Sequence, residues 1–330
     1  MKELNVLYIC DDVFAPIAGV SLTSLFENNS NTQISITVYL LWVGVSSRNR
    51  ELFLQLAEKY GQTIHLIDAE PLMQKICSLN LSTYRGSAMT NLRLYFDLLI
   101  PDSVHRLLYL DCDTLVCAPV SELADLDLKG RTLGMILDAY GSPEAAVNIT
   151  DTPYYNAGVI LIDCNRWRTG NWGAKIETYL RTGDEHLSHP DQDLLNLLCR
   201  SEILRLPVRY NLQTIHRMYS NQIYFKCFPC KDYYSEQEIN EAIASPAILH
   251  MIRVFGENPW NFGSHHPDEE LFLRYKNISL WNSWSTGSGR DDPLLRIERI
   301  LFFLLLPSIF LPLSVRAIRW IQKFDRKNNY

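Results

Sequence analysis

The ten residues LLYLDCDTLV, 107–116, constrain this chain more than any other stretch. Four apolar residues run into two carboxylates one residue apart, Asp111 and Asp113. A short apolar run with polar flanks predicts a buried strand. The carboxyl ends of strands are where open α/β sheets place their ligand crevice. Side chains alternate along a strand, so Asp111 and Asp113 point the same way and Cys112 the other. Two aligned carboxylates favour a cation between them. Hard oxygen ligands suit Mg²⁺ or Mn²⁺, which keep positions open for water and a substrate phosphate. The competing reading is an ordinary strand end with two solvated aspartates.

Neighbouring segments favour the first reading. Residues 4–9 hardly alternate, which predicts a strand buried on both faces, and they run into Asp11 and Asp12. A helix follows from Pro16, with Val20, Leu22 and Leu25 as its apolar positions. Residues 34–42 and 63–67 read as further strands. Between them, Leu52, Leu56 and Tyr60 recur at i, i+4, i+8 and predict a helix over 48–60. Residues 87–100 read as a helix carrying Arg93 and stopped by Pro101. Residues 132–137 form a strand ending at Asp138, and residues 157–162 another, introduced by Tyr154-Tyr155-Asn156. Strand–helix alternation predicts an α/β fold around a mostly parallel sheet with right-handed crossovers. In such a sheet the strands' carboxyl ends share one edge. Asp11/Asp12, Asp111/Asp113 and Asp138 would then converge on one crevice. Residues 189–193, His-Pro-Asp-Gln-Asp, precede a helix over 194–199, so Asp191 is either a helix cap or a site residue. A short strand over 247–250 ends in His250.

Composition narrows the field. A length of 330 residues accommodates one large α/β domain with additions, or two smaller ones. A formal net charge of −6 lacks the basic footprint of a nucleic-acid binder. The eight cysteines are scattered and read as small buried hydrophobes rather than a disulfide framework. Cys227 and Cys230 form one C-x-x-C, read as structural because no second pair completes a zinc site. The opening MKELNVLYICDD lacks the pattern of a signal peptide, which predicts a cytoplasmic chain. The tail differs in character. Residues 300–315 carry no charge, but Pro307 and Pro312 interrupt them, and the run falls short of the ~20 residues of a spanning helix. Arg316, Arg319, Trp320, Lys323, Arg326 and Lys327 follow. An apolar patch beside basic residues predicts a segment lying on an anionic membrane surface, in preference to a core helix or an oligomer contact.

Taken in order, LYICDD, NLRLYFDLLIP before LLYLDCDTLV, YYNAGVILIDCNRW and HPDQDLLN make the chain resemble glycosyltransferase family 8. The likeness is to its bacterial lipopolysaccharide and capsule glucosyl- or galactosyltransferase type. The resemblance implies a GT-A catalytic domain over 1–262, then an aromatic and polar extension with a linker over 263–296, and a membrane-associating tail over 297–330. It also implies a UDP-hexose donor, Mn²⁺ with Mg²⁺ as the alternative, and transfer with retention of anomeric configuration. Asp111, Asp113 and His250 would be the metal ligands. Asp11, with Asp12 beside it, would belong to the uridine-binding corner, and Arg93 would help place the diphosphate. Asp138, Asn156, Asp191 and Gln192 would line the sugar and acceptor pocket, with Gln192 facing the anomeric carbon opposite the leaving phosphate. Two departures from the family pattern stand out. HMIRVFGENPW replaces the family's His-x-x-Gly-x-x-Lys-Pro-Trp, so the phosphate-binding lysine is missing and Arg253 is the substitute. Val13 stands where some members carry a polar residue.

Retention requires either two inversions or attack from the leaving-group face. An amide at Gln192 is a poor nucleophile, which favours the second. The expected acceptor is a glycan or lipid-linked glycan, reached from the inner face of the cell membrane. A catalytically idle relative that organises partners at the membrane is the alternative, supported by the altered phosphate motif. A sugar nucleotidyltransferase would want a Gly-rich basic loop after the first strand, where Asp11-Asp12-Val13-Phe14 stands instead.

Overall fold

The computed structural model describes residues 2–328 except 79–86, 142–152, 183–186, 188, 229–231, 286 and 290–291, with side chains as far as residue 317. Among the described residues, ten strands make two sheets. The strands are β1 (Lys2–Asp11), β2 (Ile34–Val43), β3 (Thr63–Asp68), β4 (Arg106–Leu110), β5 (Thr114–Val116), β6 (Leu133–Leu137), β7 (Tyr155–Asp163), β8 (Ile203–Arg205), β9 (Leu212–Gln213) and β10 (Ile248–His250). The larger sheet has the order β3-β2-β1-β4-β7-β6-β8, and the smaller β5-β10-β9. In the larger sheet only β7 runs against its neighbours β4 and β6. Hydrophobic patterning does not encode strand direction, and reversing β7 has a consequence. It brings the amino end of that strand, not its carboxyl end, to the edge where β1, β4 and β6 finish.

The central strand β1 is apolar and buried from Val6 to Cys10 because helices cover both faces. The helices are α1 (Ala15–Asn29), α2 (Ser47–Tyr60), α3 (Glu70–Ser78), α4 (Cys164–Thr169), α5 (Trp172–Thr182), α6 (Pro190–Leu198), α7 (Ile215–Met218), α8 (Asn221–Cys227), α9 (Glu236–Ala244), α10 (Glu269–Ile278), α11 (Pro293–Leu304) and α12 (Pro307–Asn328). α1 is buried almost all round, as its mixed apolar and small residues allow. Trp281 lies against it at Gly19, where a Cβ would stand 2.2 Å from the indole ring. The same Trp281 packs on Phe53 of α2 and donates from Nε1 to Asn49 Oδ1 at 2.8 Å. Phe272 and Tyr275 of α10 join that core too. α2 starts on Ser46, whose hydroxyl accepts from the Asn49 amide, and stops on Gly61 at φ 62°.

Three local expectations are corrected. Residues 87–100 were expected to be an α-helix. Over Met89–Leu98 they form 3₁₀ turns with a kink at Tyr95. The helix expected from residue 194 begins at Pro190, so Asp191 lies in its first turn. The strand ending in Asp111 and Asp113 stops earlier, at Leu110, and both acids lie in the turn that leads to β5. Their shared direction comes from that turn and not from strand alternation. Cys227 is buried, while Cys230 lies outside the described residues.

α11 and α12 fold back on the body. Phe310, Leu311 and Val315 are buried against Phe255, Tyr219 and Tyr224. Arg299 of α11 pairs with Glu257. The opposite face of α11 is left open: Leu294, Ile297, Leu301 and Leu304 recur at helical spacing and are all exposed. Among the described residues no helix is long and apolar enough to cross a membrane.

Candidate active site

The turn after β4 is held from below. The Thr114 amide and Oγ1 both donate to the Asp111 carbonyl, at 3.2 and 2.7 Å, and that hydroxyl also meets Ser21, which meets Tyr8. The Asp111 amide donates to Gly158 O of β7 at 2.8 Å, and Met251 donates to Asp113 O at 2.9 Å. Antiparallel pairing of β10 with β5 sets His250 opposite Thr114. These backbone bonds bring together one carboxylate oxygen each from Asp111 and Asp113 and an imidazole nitrogen of His250, all within 4.8 Å of one another. His250 Nε2 is 3.4 Å from Asp113 Oδ1 and 3.9 Å from Asp111 Oδ2.

The two oxygens of Asp111 differ. Oδ1 accepts from Tyr109 and from Arg93 Nη2, the latter at 2.8 Å, whereas Oδ2 turns toward His250. Arg93 is buried and spans the site. It donates from Nη1 to Ala157 O at 2.5 Å, its Nε is 3.1 Å from Asp191 Oδ2, and its guanidinium lies over the Tyr109 ring at 4.4 Å. Its charge is therefore shared between two carboxylates. Asp191 is ion-paired here, which the bare helix-cap reading did not anticipate.

Next to this group lies a hydrogen-bonded network of one carboxylate and side-chain amides. Asp138 is buried at the end of β6. Its Oδ2 accepts from Asn156 Nδ2 at 2.9 Å and from Gln192 Nε2 at 3.2 Å, while Oδ1 accepts from the Tyr140 amide. Gln192 Oε1 accepts from Ala157 N–H at 2.9 Å. Gln213 of β9 clasps the backbone on both sides of Asp138, at Leu137 O and Ala139 N. Asn156 reaches this edge because β7 is reversed.

The titrations follow from this packing. Burial raises the Asp111 carboxyl above its usual range, with Asp113 adding to the rise and Arg93 opposing it. Burial also works against ionisation at Asp113, but the His250 imidazole overrides it and holds the group low. Burial disfavours the His250 cation, yet Asp113 and Asp111 together keep it above the ordinary imidazole range. Among the described residues of this cluster, four carboxylates (Asp111, Asp113, Asp138, Asp191) thus lie around one permanent cation, Arg93. Two carboxylates and the imidazole nitrogen turned toward them are a donor set that fits Mn²⁺ or Mg²⁺. A diphosphate entering so negative a site would need such a cation.

The remaining expected site residues lie outside this bonded cluster. Asp11 accepts from the Phe14 amide at 2.8 Å at the start of α1. Asp12 accepts from the Ser46 amide and Asn49 Nδ2, both at 2.8 Å, so it ties β1 to the start of α2, and those bonds lower its pKa. Arg253 is half-buried in the irregular segment after β10. Just beyond it the chain makes a tight turn, with Val254 paired to Glu257 and Phe255 and Gly256 at positive φ. Residues that sequence reasoning passed over are Tyr109, Asn211 and Gly158. Gly158 left a signal, a glycine inside an apolar strand, which marks close approach by another group.

A model of the family described as Glycosyl transferase family 8 matches residues 5–262. General stress protein A of Bacillus subtilis (strain 168) is 28% identical over 290 residues, 85% of this chain and 95% of that protein. Lipopolysaccharide 1,2-glucosyltransferase of Escherichia coli (strain K12) is 29% identical over 300 residues, 87% of this chain and 81% of that protein. The crystal structure of galactosyltransferase LgtC in complex with donor and acceptor sugar analogs superposes with a TM-score of 0.61 at 22% identity, covering 84% of this chain and 96% of that one. At that identity the likeness shows the fold alone, which is GT-A.

Proposed function

The chain belongs to glycosyl transferase family 8, and from that membership we propose a retaining hexosyltransferase that moves glucose or galactose from a UDP-sugar to a glycan or lipid-linked glycan. The observation that carries the proposal is the meeting, at one sheet edge, of the Asp111–Asp113–His250 group and the Asp138–Asn156–Gln192 network. The first is suited to a diphosphate held through a cation, the second to sugar hydroxyls. Mn²⁺, or Mg²⁺ in its place, would be held by Asp111, Asp113 and His250. It would supply neutralisation of the charge that develops on the UDP leaving oxygen. Asp11 and Asp12 are assigned to the uridine corner, and Arg253 to the phosphates in place of the family's lysine.

The chain's own residues do the rest. Arg93 holds Asp111 and Asp191 in fixed positions, so the site meets the transition state without reorganising. Gln192 is held at both ends, by Ala157 N–H and Asp138, and presents an amide rather than a nucleophile. A short-lived adduct through Asp191 or Asp193 is the alternative, but both carboxylates already have partners. Asp191 is paired with Arg93. Asp193 is fully buried and accepts from Tyr154 at 2.5 Å and from the His189 amide at 2.9 Å. That arrangement supports attack on the leaving-group face, with a donor phosphate oxygen taking the acceptor proton.

The catalytic part is assigned to 1–262, the aromatic extension to 263–296 and the membrane-associating tail to 297–330. The open apolar stripe of α11 supports contact with an anionic membrane surface. The basic residues from Arg319 onward, whose side chains lie outside the described residues, would add to it. The assigned place is the inner face of the cell membrane. Proton NMR of the hexose first released from UDP-glucose or UDP-galactose tests the stereochemistry. An α product from the α-linked donor is expected, and a β product would overturn retention.

A further inference from the structure

We infer that Asn211 is the positioning residue that fixes the tautomer of His250 and joins the metal-binding group to the sugar-binding network. The inference rests on the proposal that His250 is a metal ligand. Asn211 ends the 3₁₀ turn Val208–Asn211, directly before β9, and is fully buried. Its Oδ1 is 3.1 Å from His250 Nδ1 and its Nδ2 is 2.8 Å from Asn156 Oδ1.

The proton positions along this chain of bonds follow from its anchors. The backbone N–H of Gly158 can only donate, and it points at Asn156 Oδ1 at 2.9 Å. That end of Asn156 is therefore the carbonyl, and its amino group faces the Asp138 carboxylate, as charge requires. Asn211 must then turn its own amino group to Asn156 and its carbonyl to the imidazole. A carbonyl can only accept, so the His250 nitrogen facing it, Nδ1, carries the proton. In the neutral ring Nε2 is then left with its lone pair, and Nε2 is the nitrogen that faces Asp113 and Asp111.

The ring has no room to escape this arrangement. At Gly158 a Cβ would stand 2.2 Å from His250 Cε1 and 2.6 Å from Nδ1, so the imidazole rests directly on the β7 backbone. The Thr214 hydroxyl donates to the His250 carbonyl at 3.1 Å and holds the main chain behind it. Outer partners of this kind fix the tautomer and direction of a ligating histidine. The other end of the same chain reaches Asp138 and, through it, Gln192.

The test uses the full chain with Asn211→Leu and Asn211→Asp. Long-range proton–nitrogen NMR of the metal-free wild type, at a pH where the imidazole is neutral, should show His250 protonated at Nδ1. Asn211→Leu should lose that preference and bind Mn²⁺ about 10- to 100-fold more weakly by titration. Asn211→Asp keeps an acceptor opposite Nδ1 and should recover most of the affinity. Protonation of wild-type His250 at Nε2 would overturn the inference, as would an Asn211→Leu protein with unchanged Mn²⁺ affinity. Should the wild type bind no Mn²⁺, the metal assignment fails, and the tautomer spectrum still judges Asn211 on its own.

Discussion

Asp111 spends one carboxylate oxygen on Tyr109 and Arg93 and leaves the other facing His250. Through Arg93, which also pairs with Asp191, the same carboxylate is tied to the first turn of α6. Asp111→Asn should lower kcat by roughly a hundredfold or more, given the several kcal/mol a bound cation supplies at tenfold per 1.36 kcal/mol. If the protein were an idle scaffold, the same variant would leave its cellular function intact. Gly158→Ala would push His250 off its seat. It should cost about 1–3 kcal/mol of stability. It should also abolish the rise in melting temperature that Mn²⁺ is expected to give the wild type, and a retained rise would contradict the close contact. The acids at 111, 113 and 138 were readable because each ends an apolar run. Asn211 was not, since a lone amide before a two-residue strand carries no periodicity and belongs to no motif.

Among elements, the strands and first helices were legible from their apolar spacing, β1 and α2 most clearly. Residues 89–98 were misread because Leu92, Leu94 and Phe96 give enough apolar character for a helix, whereas the segment forms 3₁₀ turns kinked at Tyr95 that bury Asn91 and Arg93. Reversal of β7 left no trace in a strand buried on both faces, and yet it is what delivers Asn156. The tail follows a rule of its own. α12 is anchored by Phe310, Leu311 and Val315, and α11 turns Leu294, Ile297, Leu301 and Leu304 outward. Apolar stripes this continuous mark an interaction surface. Replacing Leu301 and Leu304 by glutamate should therefore release the protein from anionic vesicles in a sedimentation assay without lowering its thermal stability. Undiminished binding would move the contact elsewhere on the molecule.

For the whole molecule, pH acts through buried histidines as well as through the site. Burial pushes His216 and His266 down to about 4. Above the unfolded value near 6.5 both are neutral in either state. As pH falls from there toward 4, the unfolded chain binds protons that the folded chain refuses, and stability is lost across that window. Each contributes up to roughly 3 kcal/mol by pH 4, at 1.36 kcal/mol per unit. His250 acts with the opposite sign, adding stability below about 6.5 that is lost as pH rises through its raised value. Denaturant melts of His216→Phe should show a shallower loss between pH 6.5 and 4 than the wild type, and an unchanged slope would contradict burial in the neutral form. The site edge where three parallel strands finish is the feature on which the proposed donor, cation and acceptor sites all depend. The most direct measurement is UDP release from UDP-glucose and UDP-galactose, with Mn²⁺ and with a chelator, by the wild type and Asp113→Asn. Metal-dependent release by the wild type, lost in Asp113→Asn, is the predicted result. Release that ignores the chelator, or that survives Asp113→Asn, would contradict it.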